Sequence, residues 1–340
     1  MFAKITEIFN KLKDIIYNFI NILRNHSKKI NIDTTYFSNM NYGIICICVI
    51  VFLALYYPLG ALLTEKIERN TDIDVVTSNN KQSHTLNMIS HLINQEVNEN
   101  IWTPNLPFFF PASILDNMPN YQLGMINGIS KFTSSFEKRI DKNFPNKENN
   151  SDLYKASTML RYPGTIWMFD PNNKIKPVPS ASSKYRKARR RINKYNQALA
   201  LEQINFDKNI DDLIYILKSS NKNLSQTTNQ LSAHIRENNS SFIDFKADDV
   251  FYYNQGKIYA YYMLLKNLGL DYQDIIVQNN LYQQWISLNK SLQNACLVQP
   301  KIIRNANLNS SISPNHLMYL KSYTLKAQNI IQKLINSLEQ

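Results

Sequence analysis

Whatever acid–base chemistry this chain offers rests on three groups of carboxylates. Glu96 and Glu99 stand three residues apart in a stretch with helical spacing, Asp116 lies in the run LDNMPN (Leu115 to Asn120), and Asp248 and Asp249 are adjacent. Cleavage of a glycan strand needs a carboxyl group placed as general acid in a cleft, and Glu96 and Asp116 are the best candidates for it. Each group also has a plainer role. Glu96 and Glu99 follow ordinary helix-surface spacing, Asp116 stands where a helix cap is expected, and Asp248 and Asp249 precede an aromatic-rich helix whose amino terminus they suit. Of the five histidines, only His84 and His91 share a helical face, seven residues apart. Metal ligands on one helix usually fall three or four apart, and no cysteine or carboxylate cluster completes a set, so neither a metal nor a cofactor is expected. Nucleotide loops, nucleophile elbows and Ser/His/Asp arrangements are absent as motifs. The expectation is a protein that is not an enzyme.

Binding chemistry is more conspicuous. Between Trp102 and Asn120 lie four prolines and the run Phe108, Phe109, Phe110. Such a stretch cannot form one long helix. It reads first as a rigid connector whose Trp102 and three phenylalanines plug the core, and alternatively as a ledge that contacts a partner. Its binding candidates are Trp102, Pro104, Asn105, Asp116, Asn117, Met118, Pro119, Asn120 and Gln122. Asp248, Asp249, Tyr252 and Tyr259 join them from the segment ADDVFYYNQGKIYAYY. There Tyr252, Tyr259 and Tyr262 share a helical face suited to a core, while the remaining aromatic positions can face outward to an interface. Seven basic residues, Lys184, Arg186, Lys187, Arg189, Arg190, Arg191 and Lys194, fall within eleven positions. On a helix they cover most of the circumference, as a solvated belt or as a contact for anionic lipid or an acidic protein face.

Helices must position these groups. Glycine is scarce, 7 in 340, and few stretches alternate strictly enough for strands. Helical blocks are expected at about 83–99, 121–140, 153–160, 183–218, 223–237, 249–268, 280–297 and 314–338, with a proline-bearing loop from Tyr162 to Ser180. Ahead of them Gly43 to Leu63 carries no charged side chain and is long enough to span a bilayer once. Lys4, Lys11, Lys13, Arg24, Lys28 and Lys29 precede it against Glu7, Asp14 and Asp33, which favours a cytoplasmic amino terminus and an exported remainder. With no A-x-A-like cleavage site after it, the run reads as an uncleaved signal anchor. Earlier still, Phe2, Ile5, Phe9, Leu12, Ile16, Phe19 and Leu23 alternate spacings of three and four, fitting a helix in the membrane surface, a self-associating helix or a soluble partner.

The expected organisation is a cytoplasmic amphipathic and basic segment (1–42), a transmembrane anchor (43–63), a stem (64–80) and a periplasmic α-helical domain (81–340). Cys46 and Cys48 lie in the span on different faces, and Cys296 stands alone beyond it, so no disulfide framework is expected. A net charge of +12 would ordinarily suggest nucleic acid. An exported domain meets none, and enrichment in Asn, Lys, Ile and Tyr follows from an AT-rich genome, so nucleic acid is not an expected partner.

Four segments, ISHLINQEVNENIWTPNLPFFFPASILDNMPNYQLGMI, LRYPGTIWMFDP, SSKYRKARRRINKYNQALA and ADDVFYYNQGKIYAYYMLL, closely resemble a family of proteobacterial inner-membrane proteins known as domain of unknown function 2333. The resemblance extends over nearly all of 54–340 and includes YPLG at the end of the apolar run. It implies a single membrane anchor and a mostly helical exported domain, and no activity. The chain departs from the family pattern at Gln95, where a basic residue is usual, at Leu106, where an acid is usual, and in the loop Asn146 to Ser151, which replaces Arg-Gly-Ser-Ser. Those changes argue against a shared catalytic mechanism at these positions. The expected protein is an all-α, single-pass inner-membrane scaffold or assembly factor of the cell envelope. Its expected partners are the membrane, other envelope proteins, a second copy of itself, and anionic lipid or wall polymer. The alternatives are a peptidoglycan-cleaving enzyme using Glu96 or Asp116 and an anionic lipid or polyanion binding module.

Overall fold

The computed structural model describes residues 34–67, 69–75, 79, 81–140, 151–170, 173–238, 244, 246–306 and 314–340. The alternating pattern over Phe2 to Leu23 lies outside them. Two compact units divide between Tyr56 and Tyr57. In the first, the described part is helix α1 (Thr34–Thr64) as far as Tyr56, where Phe52 stacks on Tyr56 at 5.2 Å. Ile47 to Thr64 of α1 is long and apolar enough to cross a membrane and has only 6% of its length buried, which separates it from the core helix of a water-soluble domain.

The second unit is helical. Its elements are α2 (His84–Asn94), extended by one π-turn (Gln95–Glu99), a 3-10 turn (Pro111–Ile114), α3 (Asn117–Ile140), α4 (Asp152–Leu160), a hairpin of β1 (Phe169–Asp170) and β2 (Asn173–Pro177), α5 (Ala181–Ala200), α6 (Ile210–Glu237), α7 (Ala247–Asp271), α8 (Gln273–Gln278), α9 (Tyr282–Cys296) and α10 (His316–Leu338). The all-α expectation therefore holds for the architecture. The hairpin, an antiparallel pair with an irregular register between Phe169 and Asp170, sits inside what reads from sequence as a loop.

Helix α7 is the centre of this unit. Phe251, Ile258, Tyr259, Tyr261, Met263 and Leu265 are all sealed from solvent, so the helix is buried on every side. Helices α2, α3, α6, α9 and α10 pack around it. Tyr252, Tyr259 and Tyr262 lie in the core as expected, but Phe251 and Tyr261 do not face outward as interface residues. The closest approach is between α3 and α7. A Cβ at Gly124 would stand 2.7 Å from the Tyr253 carbonyl carbon, and one at Gly256 would stand 2.9 Å from that of Tyr121. Two of the chain's few glycines thus let two backbones touch.

Several expected boundaries move for identifiable reasons. The helix expected from 183 to 218 is two, because Glu202 enters the left-handed region at φ 56° and Asn209 starts α6 by accepting from the Asp212 amide at 2.9 Å. Helix α3 begins at Asn117, four residues early, with Pro119 tolerated in its first turn where no amide partner is needed. Asp248 and Asp249 do not precede α7 but lie inside its first turn, which Lys246 opens without a side-chain cap. Glu96 is not a surface residue: the π-turn carries Gln95, Glu96 and Val97 inward, and Glu96 is 1% exposed. Phe108, Phe109 and Phe110 do not plug the core; they are 80%, 50% and 40% exposed, and only Trp102 is buried.

Residues 65–67 and 69–75, following α1, lie on the helical unit. Ile67, Ile73 and Val75 pack on the core. The hydroxyls of Tyr259 and Tyr262 donate to the carbonyls of Asn70 and Thr71 at 2.8 and 3.1 Å. Lys266 pairs with Asp74 at 2.8 Å, and Gln293 donates to the Thr71 hydroxyl.

Candidate functional site

The sequence candidates separate into three places. Trp102, Asn105 and Gln122 form a clamp. The Trp102 indole donates to the Gly164 carbonyl at 2.9 Å and meets Tyr185 edge-on, and Asn105 Nδ2 donates to the Ile166 carbonyl at 2.7 Å. Gln122 Oε1 accepts from both the amide and hydroxyl of Thr103, while its Nε2 donates to the Ile101 carbonyl. Apart from the Thr103 hydroxyl, which bonds the Gln122 side chain, the polar atoms named here are spent on backbone, so the clamp holds two loops in register. Pro104 turns the chain between Trp102 and Asn105. Met118 is buried, its sulfur accepting from the Lys66 amide at 3.3 Å.

What the clamp holds is a pair of exposed tips. Phe109 meets Phe108, Phe110 and Trp167 at ring distances of 5.6, 5.2 and 6.0 Å. Trp167, Met168 and Phe169, at the turn into β1, are exposed beside them. At the base, Tyr57 Oη donates to the Phe108 carbonyl at 2.9 Å, and Pro111 lies against Gly60, so close that a Cβ there would overlap the proline ring.

The second place is a cleft of about 440 Å³ where α3, α6 and the start of α7 meet, lined by Asn120, Gln230, His234, Glu237, Asp249 and Tyr253 among others. It joins the two longest motifs, since Asn120 Nδ2 donates to Asp249 Oδ1 at 2.6 Å. Burial raises the Asp249 carboxyl above its ordinary range, and the like charges of Asp248 and Asp116 add to this against the opposing hydrogen bond from Asn120. Asp116 itself is exposed and accepts from the amide of its immediate neighbour Asn117 at 2.7 Å, not from an amide two or three residues on as a capping side chain does. Pro119 is half-buried beside it. Sequence reasoning missed His234 and Asp244. His234 Nε2 lies 2.8 Å from Asp244 Oδ2, which also accepts from Asn305 at 2.9 Å. Asn238 Nδ2 approaches His234 Nδ1 at 3.4 Å, so in the neutral ring the proton sits on Nε2 and points at the carboxylate. A histidine aimed by an acid, beside a carboxyl whose proton affinity is raised, is equipment for moving protons or gripping a hydrogen-bonding ligand. Their separation of ten residues carries no helical signal, because Asp244 lies beyond the end of α6.

The third place is the interior around Glu96. Tyr121 is raised well above its usual range, first by burial and then by the nearby Tyr259, Cys296 and Glu96, with Arg69 opposing. The Arg69 guanidinium also lies 5.8 Å from the Tyr252 ring centre. Cys296 is buried and its thiol is pushed up by the same burial, which makes it a poor nucleophile.

The basic belt does not remain uniformly solvated. One face of α5 is core, through Tyr185, Ala188, Ile192 and Tyr195. Arg186 donates to the Val97 carbonyl at 2.7 Å, Arg191 pairs with Asp152, and Lys194 reaches the other oxygen of Asp152 at 2.9 Å. Burial works against ionised Asp152, yet hydrogen bonds from Arg191 and Lys194 hold its carboxyl below the ordinary value. Lys187, Arg190 and Lys194 are exposed, while Lys184 and Arg189 are half-buried, with Lys184 5.3 Å from the Tyr162 ring. Among the described residues no group of three His, Cys, Asp or Glu side chains is placed to hold a metal.

Fold and site together define a helical protein built on one buried central helix, with an apolar helix near its amino terminus. Residues 106–244 match the family described as an uncharacterized protein conserved in bacteria, DUF2333. The match takes in the exposed tips, α3 to α6 and the hairpin, and stops short of α7. No curated protein and no solved structure matches the chain.

Proposed function

We propose that the chain is a single-pass inner-membrane protein, amino terminus cytoplasmic, whose periplasmic helical unit is a scaffold or assembly factor of the cell envelope. The observation that carries the anchor is the packing of the last turns of α1 into the helical unit, through Tyr57 on Phe108 and Gly60 on Pro111. A signal sequence removed after export would take these contacts with it. The exposed apolar surface of α1, including Ile50 at 64% and Leu62 at 74%, requires a bilayer or an equivalent cover. The cleft at Asn120 and Asp249 is the surface offered to a partner, protein or wall polymer. Glycan cleavage by Glu96 is disfavoured because a substrate has no access to a carboxyl that is 1% exposed. Asp116 is disfavoured because it is exposed and outside the cleft lining, where no enclosure would hold a carboxyl as general acid against a glycan.

Full-length protein carrying a photo-crosslinking side chain at Gln230 or Glu237 on the cleft rim should yield discrete adducts with other envelope proteins in native membranes. Purified protein that releases soluble fragments from wall polymer, with the release lost in Glu96→Gln or Asp116→Asn, would overturn the scaffold in favour of the enzyme. A mature chain beginning after Leu63 would overturn the anchor.

A further inference from the structure

We propose that the tips formed by Phe108–Phe110 and Trp167–Phe169 are a second membrane contact, seated in the interfacial layer of the bilayer that α1 enters. The proposal rests on reading α1 as a membrane anchor. Three observations converge on it. The tips are apolar and exposed while their base is fixed: Trp102 and Asn105 hold the two loops together by hydrogen bonds to Gly164 and Ile166, so the rings are presented and not merely loose. A collapsing loop would bury such rings; this one is braced against doing so.

The patch is also continuous with the end of the apolar helix. Tyr57 donates to the carbonyl of Phe108 itself, and Gly60 admits Pro111 at a distance no side chain would allow. Both α1 residues lie within the span's apolar window, Ile47–Thr64. Rings fastened there meet the same lipid that covers the helix end, where Trp and Phe side chains are accommodated beside headgroups.

Charge behind the tips is of the matching sign. Helix α5 starts beside the root of the second tip, its Ala181 amide donating to the Ile166 carbonyl at 2.9 Å, and its first turns carry Lys184 and Lys187. Cations one or two turns behind an aromatic tip suit the phosphates of anionic headgroups.

The test uses the full chain reconstituted into vesicles of phosphatidylethanolamine and phosphatidylglycerol, with benzoylphenylalanine placed singly at Phe109, at Ile50 in α1, or at Tyr319, exposed on α10. Photolysis should give lipid adducts at positions 50 and 109 and none at 319. Adducts at 50 with none at 109 overturn the second contact and leave the anchor standing. No lipid adduct at 50 removes the anchor and this proposal with it. A protein adduct at twice the chain mass from position 109 would show that a second copy covers the tips, which also overturns it. Phe109 is half exposed, so the probe fits without disturbing the core, and an unchanged melting temperature verifies that each variant is folded.

Discussion

Replacing Gly124 by alanine sets two physical effects of opposite sign against each other. Helix propensity alone favours the change by about 1 kcal/mol, since Gly124 lies mid-helix in α3. Packing opposes it. The new methyl carbon would lie 2.7 Å from the Tyr253 carbonyl carbon and nearer still to its oxygen, against the 3.4 Å at which ordinary contact begins. The obstacle is backbone, so no rotamer relieves it, and α3 must move off α7 by more than an ångström. Because α7 is buried on every side, that motion opens gaps at Tyr121, Met125 and Tyr259 as well. Overpacking of a tight core typically costs 1–3 kcal/mol, and a backbone clash belongs at the upper end, about 3 kcal/mol before the propensity gain. The net loss of about 2 kcal/mol should lower the melting temperature of the detergent-solubilised full chain by roughly 3 °C. Gly256→Ala, which meets the Tyr121 carbonyl from the other side, should behave alike, and Gly128→Ala, whose nearest obstacles are the Ala260 Cβ at 2.9 Å and the Lys257 carbonyl, should cost less. Gly124→Ala that melts at or above the parent would refute the close crossing.

Asp271→Ala should destabilise by about 3 kcal/mol in urea unfolding, because its buried carboxylate accepts from the Ser83 hydroxyl and from the His84 and Thr85 amides at 2.7, 2.7 and 3.0 Å and caps α2; a neutral outcome would mean water replaces it. Lys257 is buried, and desolvation followed by the charge of Lys131 lowers its ammonium from 10.5 to about 8. A base depressed in the folded state is proton-free there while still charged in the unfolded chain, so stability should rise with pH from about 8 towards 10. Lys257→Met should flatten that rise and unfold later at pH 7; a parallel pair of pH curves would contradict it. Asp249, raised in the fold, stabilises the protein most below its unfolded value and loses that contribution as pH climbs through its folded value. Asp249→Asn should therefore melt higher than the parent at neutral pH and converge with it in acid, and a difference independent of pH would show that the carboxyl carries no strain.

The apolar span and the helix starts near Ser83, Ser151, Ser180 and Asn315 were legible because local chemistry writes them, each of these four residues capping the helix that follows, whereas Asn209 caps a helix start that the sequence reading ran straight through. The meeting of LDNMPN with ADDVFYYNQG was not legible, although both motifs stood out, because Asn120 and Asp249 are brought together by a crossing that depends on the absence of two side chains, Gly124 and Gly256. Glu96 misled for a related reason. Three-residue spacing to Glu99 predicts a surface pair on a regular helix, and the π-turn changes the helix's phase after Asn94, turning one of the two inward. The triple phenylalanine misled in the opposite direction, since hydrophobicity argues for burial and says nothing of the brace that Trp102 and Asn105 provide. His234 and Asp244 left no periodic trace because one sits on a helix and the other beyond its end.

The chain between α1 and α2 has one more consequence. Residues 64–80, left free, would extend to roughly 60 Å and let the helical unit sweep a wide shell. Instead the tyrosines of α7 fasten Asn70 and Thr71, and Lys266 fastens Asp74. Between Asn70 and Asp74 the leash has no slack. On the proposed reading of α1 as an anchor, a scaffold so mounted would have a short search radius and would recruit only what is already within a domain's width of the bilayer. Any force on the anchor would be delivered directly to the innermost helix of the fold.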